Sequence, residues 1–302
     1  MEKLNKWDIL TRFDSVLLGD NPFFGVDHVS QERARTKASR SQNIDNIAEV
    51  IKYCFNLGIS GMVVSTHPTL RELVDKLRSE RPELLEKFEF YPILPYTQGY
   101  VLKINERGII NTVIETLSMG SFRNKIKILT KGGMGVIRKD LFELFKVFID
   151  IELLQLKNTK INTVFLHDVI TDLALSLNMK KIFEVFQAYL HDNYKVNAGL
   201  VTKNFPRLVN KLSEWDLDYS TIMTSFNKIG FQMNPSREEC EKSLDKFKGQ
   251  VIAMSILAGG YLELNDAYQY ILTQQKINKI VVGVSSIEHA TKTFGLLLNK
   301  DI

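Results

Sequence analysis

The chain has 302 residues, of which 44% are hydrophobic and 25% charged, and 39 Lys and Arg against 35 Asp and Glu give a formal net charge of +4. This composition predicts a folded protein with an extensive core. The charges are dispersed, so they indicate neither a nucleic-acid partner nor a polybasic membrane anchor. No segment approaches the roughly 18 apolar residues of a membrane span. Because the two cysteines, Cys54 and Cys240, lie in separate predicted helices, we expect a soluble cytoplasmic protein with two unpaired thiols.

Short apolar runs alternate with stretches of helical periodicity along the whole chain. The predicted strands, in chain order, are 15–19, 61–65, 88–94, 126–130, 163–166, 196–201, 221–225, 251–255 and 279–282. The predicted helices between them include 43–56, 140–156, 179–191 and 287–298. The strand runs are nearly continuous in apolar residues, which is typical of strands covered on both faces.

From residue 61 onward, the strand starts recur about every 31 residues, which is the size of one βα unit. Eight such units form a (β/α)8 barrel, so the pattern predicts a single α/β TIM-barrel domain over 1–302. Counting 15–19 gives nine strands. Either 15–19 is a leader strand outside the barrel, or it is strand one and the 88–94 unit is an insertion. A doubly wound open sheet is less favoured because no Gly-x-Gly-x-x-Gly follows the first strand.

Polar residues follow nearly every predicted strand, and in a barrel these positions face a single mouth where chemistry occurs. They are Asp20, Asn21, Ser65, Thr66, His67, Tyr96, Tyr100, Lys131, His167, Asp168, Lys203, Asn227, Ser255, Ser285 and Ser286. The segment 19–28 places two aromatic residues, two Asp, an Asn and a His directly after a strand. We interpret it as a wall or lid of the site, with Asp20 as its polar contributor. Phe226 and Phe231 could stack on a flat ligand.

Four motifs in the second half of the chain resemble the aldo-keto reductase superfamily by their order and spacing. They are Ile-Leu-Thr-Lys-Gly-Gly at 128–133, Phe-Leu-His-Asp at 165–168, the run ending Ser-Ile-Leu-Ala-Gly-Gly at 255–260, and Val-Val-Gly-Val-Ser-Ser-Ile-Glu-His at 281–289. The resemblance implies a (β/α)8 barrel that binds NADPH without a Rossmann fold and reduces the carbonyl group of a small-molecule substrate.

The resemblance also implies roles for particular residues. Lys131 matches a lysine that lowers the pKa of a catalytic tyrosine, and His167 matches a histidine that orients the substrate carbonyl. The cofactor-binding loops correspond to Ser255, Ala258, Gly259, Gly260, Ser285 and Ser286, where small residues and a helix N-terminus favour a phosphate group. Two expected family residues are missing, because Ser65 and Leu70 stand where the family has an Asp and a Tyr after strand two.

The residues leave several alternatives open. Tyr96 or Tyr100 could replace the missing phenol if 88–94 occupies the second barrel position. Asp20, Asp27, His28, His67, His167 and Asp168 are potential ligands for a metal-dependent hydrolase or isomerase. Lys131 or Lys203 could form a Schiff base. The missing Asp and Tyr also favour a barrel that binds a ligand without catalysis. The oligomeric state is not indicated by the sequence.

Overall fold

The computed structural model describes residues 15–24, 43–95 and 141–298. These residues contain nine parallel strands. They are β1 (Ser15–Gly19), β2 (Gly61–Ser65), β3 (Glu89–Leu94), β4 (Lys160–Ile161), β5 (Thr163–Leu166), β6 (Asn197–Thr202), β7 (Thr221–Ser225), β8 (Gln250–Met254) and β9 (Ile277–Gly283). Eight of them form a closed barrel in the order β1, β2, β3, β5, β6, β7, β8, β9, and β9 pairs with β1 to close it. The predicted α/β TIM barrel is confirmed.

The structure shows which strand is additional to the eight. β1 pairs with both β2 and β9, so it is a strand of the barrel wall and not a leader. β3 is also a wall strand, because Ile93 is in register with Phe165 of β5. The additional strand among the described residues is β4, which pairs only with the start of β3. The chain between β3 and β5 is about twice the length of an ordinary βα unit. It includes the predicted strand 126–130, which lies outside the described residues.

Helices cover the outside of the barrel. They are α1 (Ile44–Asn56), α2 (Leu70–Glu80), α3 (Pro82–Lys87), α4 (Leu141–Leu153), α5 (Asp168–Ser176), α6 (Lys180–Tyr194), α7 (Phe205–Trp215), α8 (Arg237–Leu244), α9 (Leu264–Thr273) and α10 (Ile287–Leu297). In α1, Ile47, Ile51 and Cys54 recur at helical spacing and are buried, because one face of an amphipathic helix packs against the sheet. None of the described helices has both the length and the apolar character needed to cross a membrane.

The interior of the barrel is a solid plug of side chains. Seven strands each contribute one residue, namely Leu17, Val63, Tyr91, Phe165, Val201, Met223 and Ile252. Gly199 of β6 makes room for the Phe165 ring, since a Cβ at this position would lie only 2.5 Å from that ring. The described side chains of the plug fill the barrel as layers of side chains do in this fold, so a ligand must bind outside the plug.

Candidate functional site

A cleft of about 570 Å³ opens at the carboxyl ends of the strands. Its volume falls within the roughly 300–1,000 Å³ of ligand-binding pockets. Of the nine residues to which the sequence analysis gives a catalytic or cofactor-binding role, six line it, namely Asp20, His167, Ser255, Gly259, Gly260 and Ser285. Ala258 and Ser286 belong to the same two loops, whereas Lys131 lies outside the described residues. Asp20, His167 and Ser255, which follow three different strands, therefore line one cleft.

His167 stands at the junction between a strand and a helix. β5 ends at Leu166 and α5 begins at Asp168. The His167 Nδ1 atom lies 2.6 Å from Asp168 Oδ1 and 3.2 Å from the Val169 nitrogen. Nδ1 cannot donate and accept at the same time. The contact with Asp168 is the shorter one, and the Val169 N–H has Asp168 Oδ1 as a second acceptor at 3.0 Å. We therefore place the Nδ1 proton in the hydrogen bond to Asp168.

Asp168 joins His167 to Lys203, the residue that follows β6. The Lys203 Nζ atom lies 3.1 Å from Asp168 Oδ2, so each carboxylate oxygen contacts a different partner. Burial by itself raises the pKa of Asp168, but the hydrogen bond from His167 and the charges of His167 and Lys203 outweigh it. The pKa of Asp168 is therefore held well below its usual range. Asp168 is an ionised bridge between two donors that both line the cleft.

A second carboxylate on α5 fixes the backbone beneath this bridge. Asp172 Oδ1 accepts a hydrogen bond of 2.5 Å from the Thr202 hydroxyl, and Oδ2 accepts one of 3.0 Å from the Lys203 backbone N–H. Burial raises the pKa of Asp172. Since residues four apart share a helix face, Asp168 holds the Lys203 side chain while Asp172 holds its backbone. The sequence singled out His167, Asp168 and Lys203, but gave no reason to connect them.

Asp20 is a buried carboxyl group in the wall of the cleft. Its Oδ2 atom accepts a hydrogen bond of 2.5 Å from the Ser65 backbone N–H. Burial raises the pKa of Asp20 to about 6, despite this hydrogen bond. Gly19, Asn21 and Pro22 also line the cleft, so the start of the segment 19–28 forms a wall, as predicted.

The rest of that segment faces away from the cleft or lies outside the described residues. Phe23 is buried in the core, and Phe24 stacks on His67 with 4.5 Å between ring centroids. His67 Nδ1 lies 2.7 Å from the Thr69 hydroxyl, and burial lowers the pKa of His67. Asp27 and His28 lie outside the described residues. Among the described residues, no group of three or more His, Cys, Asp or Glu side chains could hold a metal ion.

The opposite wall consists of the loop after β8 and the start of α10. Ser255, Ala258, Gly259 and Gly260 have φ values of 54°, 50°, 71° and 92°. Glycine adopts this left-handed conformation readily because it has no Cβ, whereas Ser255 and Ala258 adopt it against their ordinary preference. The N–H groups of Ala258 and Gly260 donate to carbonyls of the same loop at 2.8 Å. A Cβ at Gly260 would meet nothing within 4 Å. The loop is thus a small-residue rim beside open space.

Ser286 is the N-cap of α10, because its Oγ accepts a hydrogen bond of 3.1 Å from the His289 backbone N–H. Ser285 and His289 line the cleft on either side of this cap. The positive end of the α10 dipole lies at this wall. Ser285 and the start of α10 therefore border the cleft, whereas the Ser286 side chain caps the helix itself.

Two aromatic residues predicted near the site have different positions. Phe226 is fully buried and packs edge-on against Phe205, with 6.0 Å between centroids. Phe231 does line the cleft. Asn227 shapes its loop, since its side chain accepts from the Phe231 N–H at 2.7 Å and donates to the Phe231 carbonyl at 2.8 Å. Core packing therefore accounts for Phe226, and only Phe231 is placed to contact a ligand.

No described tyrosine lines the cleft. Leu70, at the position where the family has its phenol, is buried at the start of α2. Tyr91 lies inside the barrel near its amino-terminal end, where its hydroxyl donates to Glu89 at 3.0 Å and accepts from Lys279 at 3.1 Å. Burial and the Glu89 carboxylate raise the pKa of Tyr91 above its usual range. Tyr96 and Tyr100 lie outside the described residues.

The fold of this chain is similar to that of several solved structures. No family model and no curated protein matches the sequence. A candidate aldo-keto reductase from Pseudomonas aeruginosa is 14% identical with a TM-score of 0.61, over 94% of this chain and 90% of that chain. An aldo-keto reductase from Bacillus halodurans in a holo form is 12% identical with a TM-score of 0.56, over 93% and 85%. A thermostable aldo-keto reductase in complex with the inhibitor epalrestat is 12% identical with a TM-score of 0.55, over 94% of each chain. The chain shares the fold of the aldo-keto reductases.

Proposed function

We propose that this chain is a divergent aldo-keto reductase that binds NADPH in the cleft and reduces the carbonyl group of a small molecule. The observation that carries the proposal is the position of His167. It follows the fourth strand of the barrel wall, where the sequence resemblance places a histidine that orients the carbonyl. Its cleft is also bordered by the small-residue loop after β8 and by Ser285.

The residues at the α10 wall fit the phosphate groups of a dinucleotide. Gly260 borders open space, Ser285 offers an exposed hydroxyl donor, and the N-terminus of α10 adds a positive potential. Asp20 and Asp168 are the carboxyl groups among the described lining residues. Asp168 is neutralised by Lys203. The raised pKa of Asp20, about 6, leaves part of its population uncharged near neutral pH.

The chain's own residues orient the substrate carbonyl and form an apolar surface that excludes water. Reduced nicotinamide supplies the hydride when it is bound. Val63, Ile93, Val201, Met223 and Met254 form an apolar floor, which excludes water from a reacting carbonyl. Above this floor, His167 is held in one orientation by its hydrogen bond to Asp168. When the ring also carries a proton on Nε2, His167 is a fixed donor that stabilises the negative charge developing on a nearby carbonyl oxygen during hydride addition.

Calorimetric titration with NADPH, NADH and inorganic phosphate tests the proposal. We expect NADPH to bind at one site per chain and phosphate to bind far more weakly. Ser285→Glu, which puts a negative charge into the wall, should weaken NADPH binding at least fivefold at low salt, and added salt should reduce this effect. Ser213→Glu, on the exposed surface of α7, is the matched control and should change nothing.

Three results would contradict the proposal. One is the absence of heat with both dinucleotides. Another is equal binding of NADPH and phosphate, which would indicate a general phosphate site. The third is stoichiometric metal in elemental analysis of a protein that does not bind NADPH, which would favour the metal-dependent alternative.

A further inference from the structure

We propose that Lys203 is the catalytic acid of this site and that Asp168 and Asp172 are its positioning residues. The inference rests on the proposed function and deepens it. The resemblance implies a phenol as proton donor, yet the described residues place no tyrosine in the cleft. Lys203 follows the fifth strand of the wall and is the only Lys or Arg among the described residues that line the cleft.

The position of Lys203 puts it within reach of the carbonyl that His167 would orient. β5 and β6 are neighbours in the wall, with Leu166 in register with Leu200. Adjacent strands lie about 4.8 Å apart, so side chains just past their ends can contact one substrate atom. Asp168 confirms this closeness, because its two oxygens contact His167 and Lys203. A carbonyl oxygen beside His167 is therefore also beside the Lys203 ammonium.

The arrangement is more than a surface ion pair. Exposed pairs contribute little to stability, and the Lys203 side chain keeps 37% of its exposure while that of Asp168 keeps only 11%. Asp172 uses both carboxylate oxygens on the Thr202 hydroxyl and the Lys203 backbone N–H. Two carboxylates of α5 thus hold one lysine at the mouth. The Lys203 ammonium forms an ion pair with the Asp168 carboxylate, whereas a Schiff base would require the neutral amine without this pair.

Reduced nicotinamide, when bound, would supply a hydride to the carbonyl carbon: a C–H bond of the cofactor would break, a C–H bond of the product would form, and the nicotinamide would be oxidised. The carbon–oxygen π bond breaks, and its electron pair moves to oxygen. The oxygen takes a proton from the Lys203 ammonium, which gives the alcohol and a neutral amine. Water then returns a proton to Lys203 through its exposed side. During this sequence Asp168 stays ionised, and Lys203 and His167 both stabilise the charge on oxygen.

Benzoate provides a probe of the oxyanion position that does not require turnover. We expect calorimetry to show benzoate binding to the wild-type protein, with and without NADPH. Lys203→Met should weaken this binding at least tenfold. Lys228→Met is the matched control, because Lys228 lies on the neighbouring loop, its side chain is 53% exposed, and its carboxylate partner is 3.8 Å away. The control should bind benzoate as the wild type does.

Lys203→Arg separates charge from proton donation. Arginine keeps the positive charge but does not release its proton in proteins. This variant should bind benzoate within threefold of the wild type, yet its kcat for reduction of 4-nitrobenzaldehyde should fall at least a hundredfold with a smaller change in KM. A double variant, Lys203→Met with Asp168→Asn, removes the ion pair. If Lys203 has only a structural role, benzoate binding should return in the double variant. We expect benzoate binding to stay weak.

The inference is overturned if the wild type binds no benzoate, if Lys203→Met binds it as the wild type does, or if kcat is equal in the wild type and Lys203→Arg. Failure of the proposed function looks different. In that case NADPH would not bind to any variant, while the benzoate titrations without cofactor would still report on Lys203.

Discussion

Replacing Asp20 with Asn should stabilise the protein at neutral and alkaline pH but not in acid. Burial raises the Asp20 pKa from its ordinary 3.8 to about 6. Between these values the folded state keeps a proton that the unfolded state has released, so stability falls as the pH rises through this window. Two pKa units at 1.36 kcal/mol each correspond to about 3 kcal/mol of stability lost above pH 6. An uncharged Asn that still accepts from the Ser65 N–H avoids this loss.

Urea unfolding of the wild type and Asp20→Asn at pH 4 and pH 8 measures the effect. At each pH we compare the unfolding free energy of the variant with that of the wild type. We expect this difference to be about 3 kcal/mol larger, in favour of the variant, at pH 8 than at pH 4. Asp192→Asn, an exposed position with 69% of its side-chain surface accessible, is the control and should show no such gain. A variant that is no more stable than the wild type at pH 8, or one with equal effects at both pH values, would refute the reasoning.

Two further predictions concern the core. Gly199→Ala should cost about 1–3 kcal/mol of unfolding free energy, because its methyl group would lie 2.5 Å from the Phe165 ring; unchanged stability in urea would show that the plug can rearrange. Cys54 and Cys240 are buried free thiols whose pKa values are raised by burial to about 12. A colorimetric disulfide reagent at pH 8 should therefore label neither thiol in the native protein and both in urea. Rapid labelling of the native protein would contradict their burial.

Much of the barrel could be predicted from the sequence, because strands covered on both faces are continuous apolar runs. Eight of the nine predicted strands are wall strands with nearly the predicted ends. Periodicity could not show which run is additional to the eight, since β1 and β3 look alike as sequences and only their pairing identifies them as wall strands. β4 has two residues, which is too short to produce a pattern.

The site could be predicted as a set of positions but not as a set of contacts. The rule that chemistry lies at the carboxyl ends of barrel strands selected Asp20, His167 and Ser255, and all three line the cleft. The bridge from His167 through Asp168 to Lys203 could not be predicted, because it depends on which strands are neighbours in the wall. The separate roles of Phe226 and Phe231 likewise depend on the fold of one loop, which their spacing does not reveal.

The proposed function is the reduction, by NADPH bound in this cleft, of a carbonyl group that His167 orients. The most direct test follows the absorbance of NADPH at about 340 nm with a panel of aldehydes and ketones, while chromatography quantifies the alcohol. We expect the wild type to form one alcohol for each NADPH oxidised. His167→Ala should lower this rate at least a hundredfold, in line with the roughly 10²–10³-fold contribution of one hydrogen-bond donor to a developing oxyanion, with NADPH binding unchanged. Oxidation of NADPH without alcohol formation, or equal rates in the wild type and His167→Ala, would contradict it.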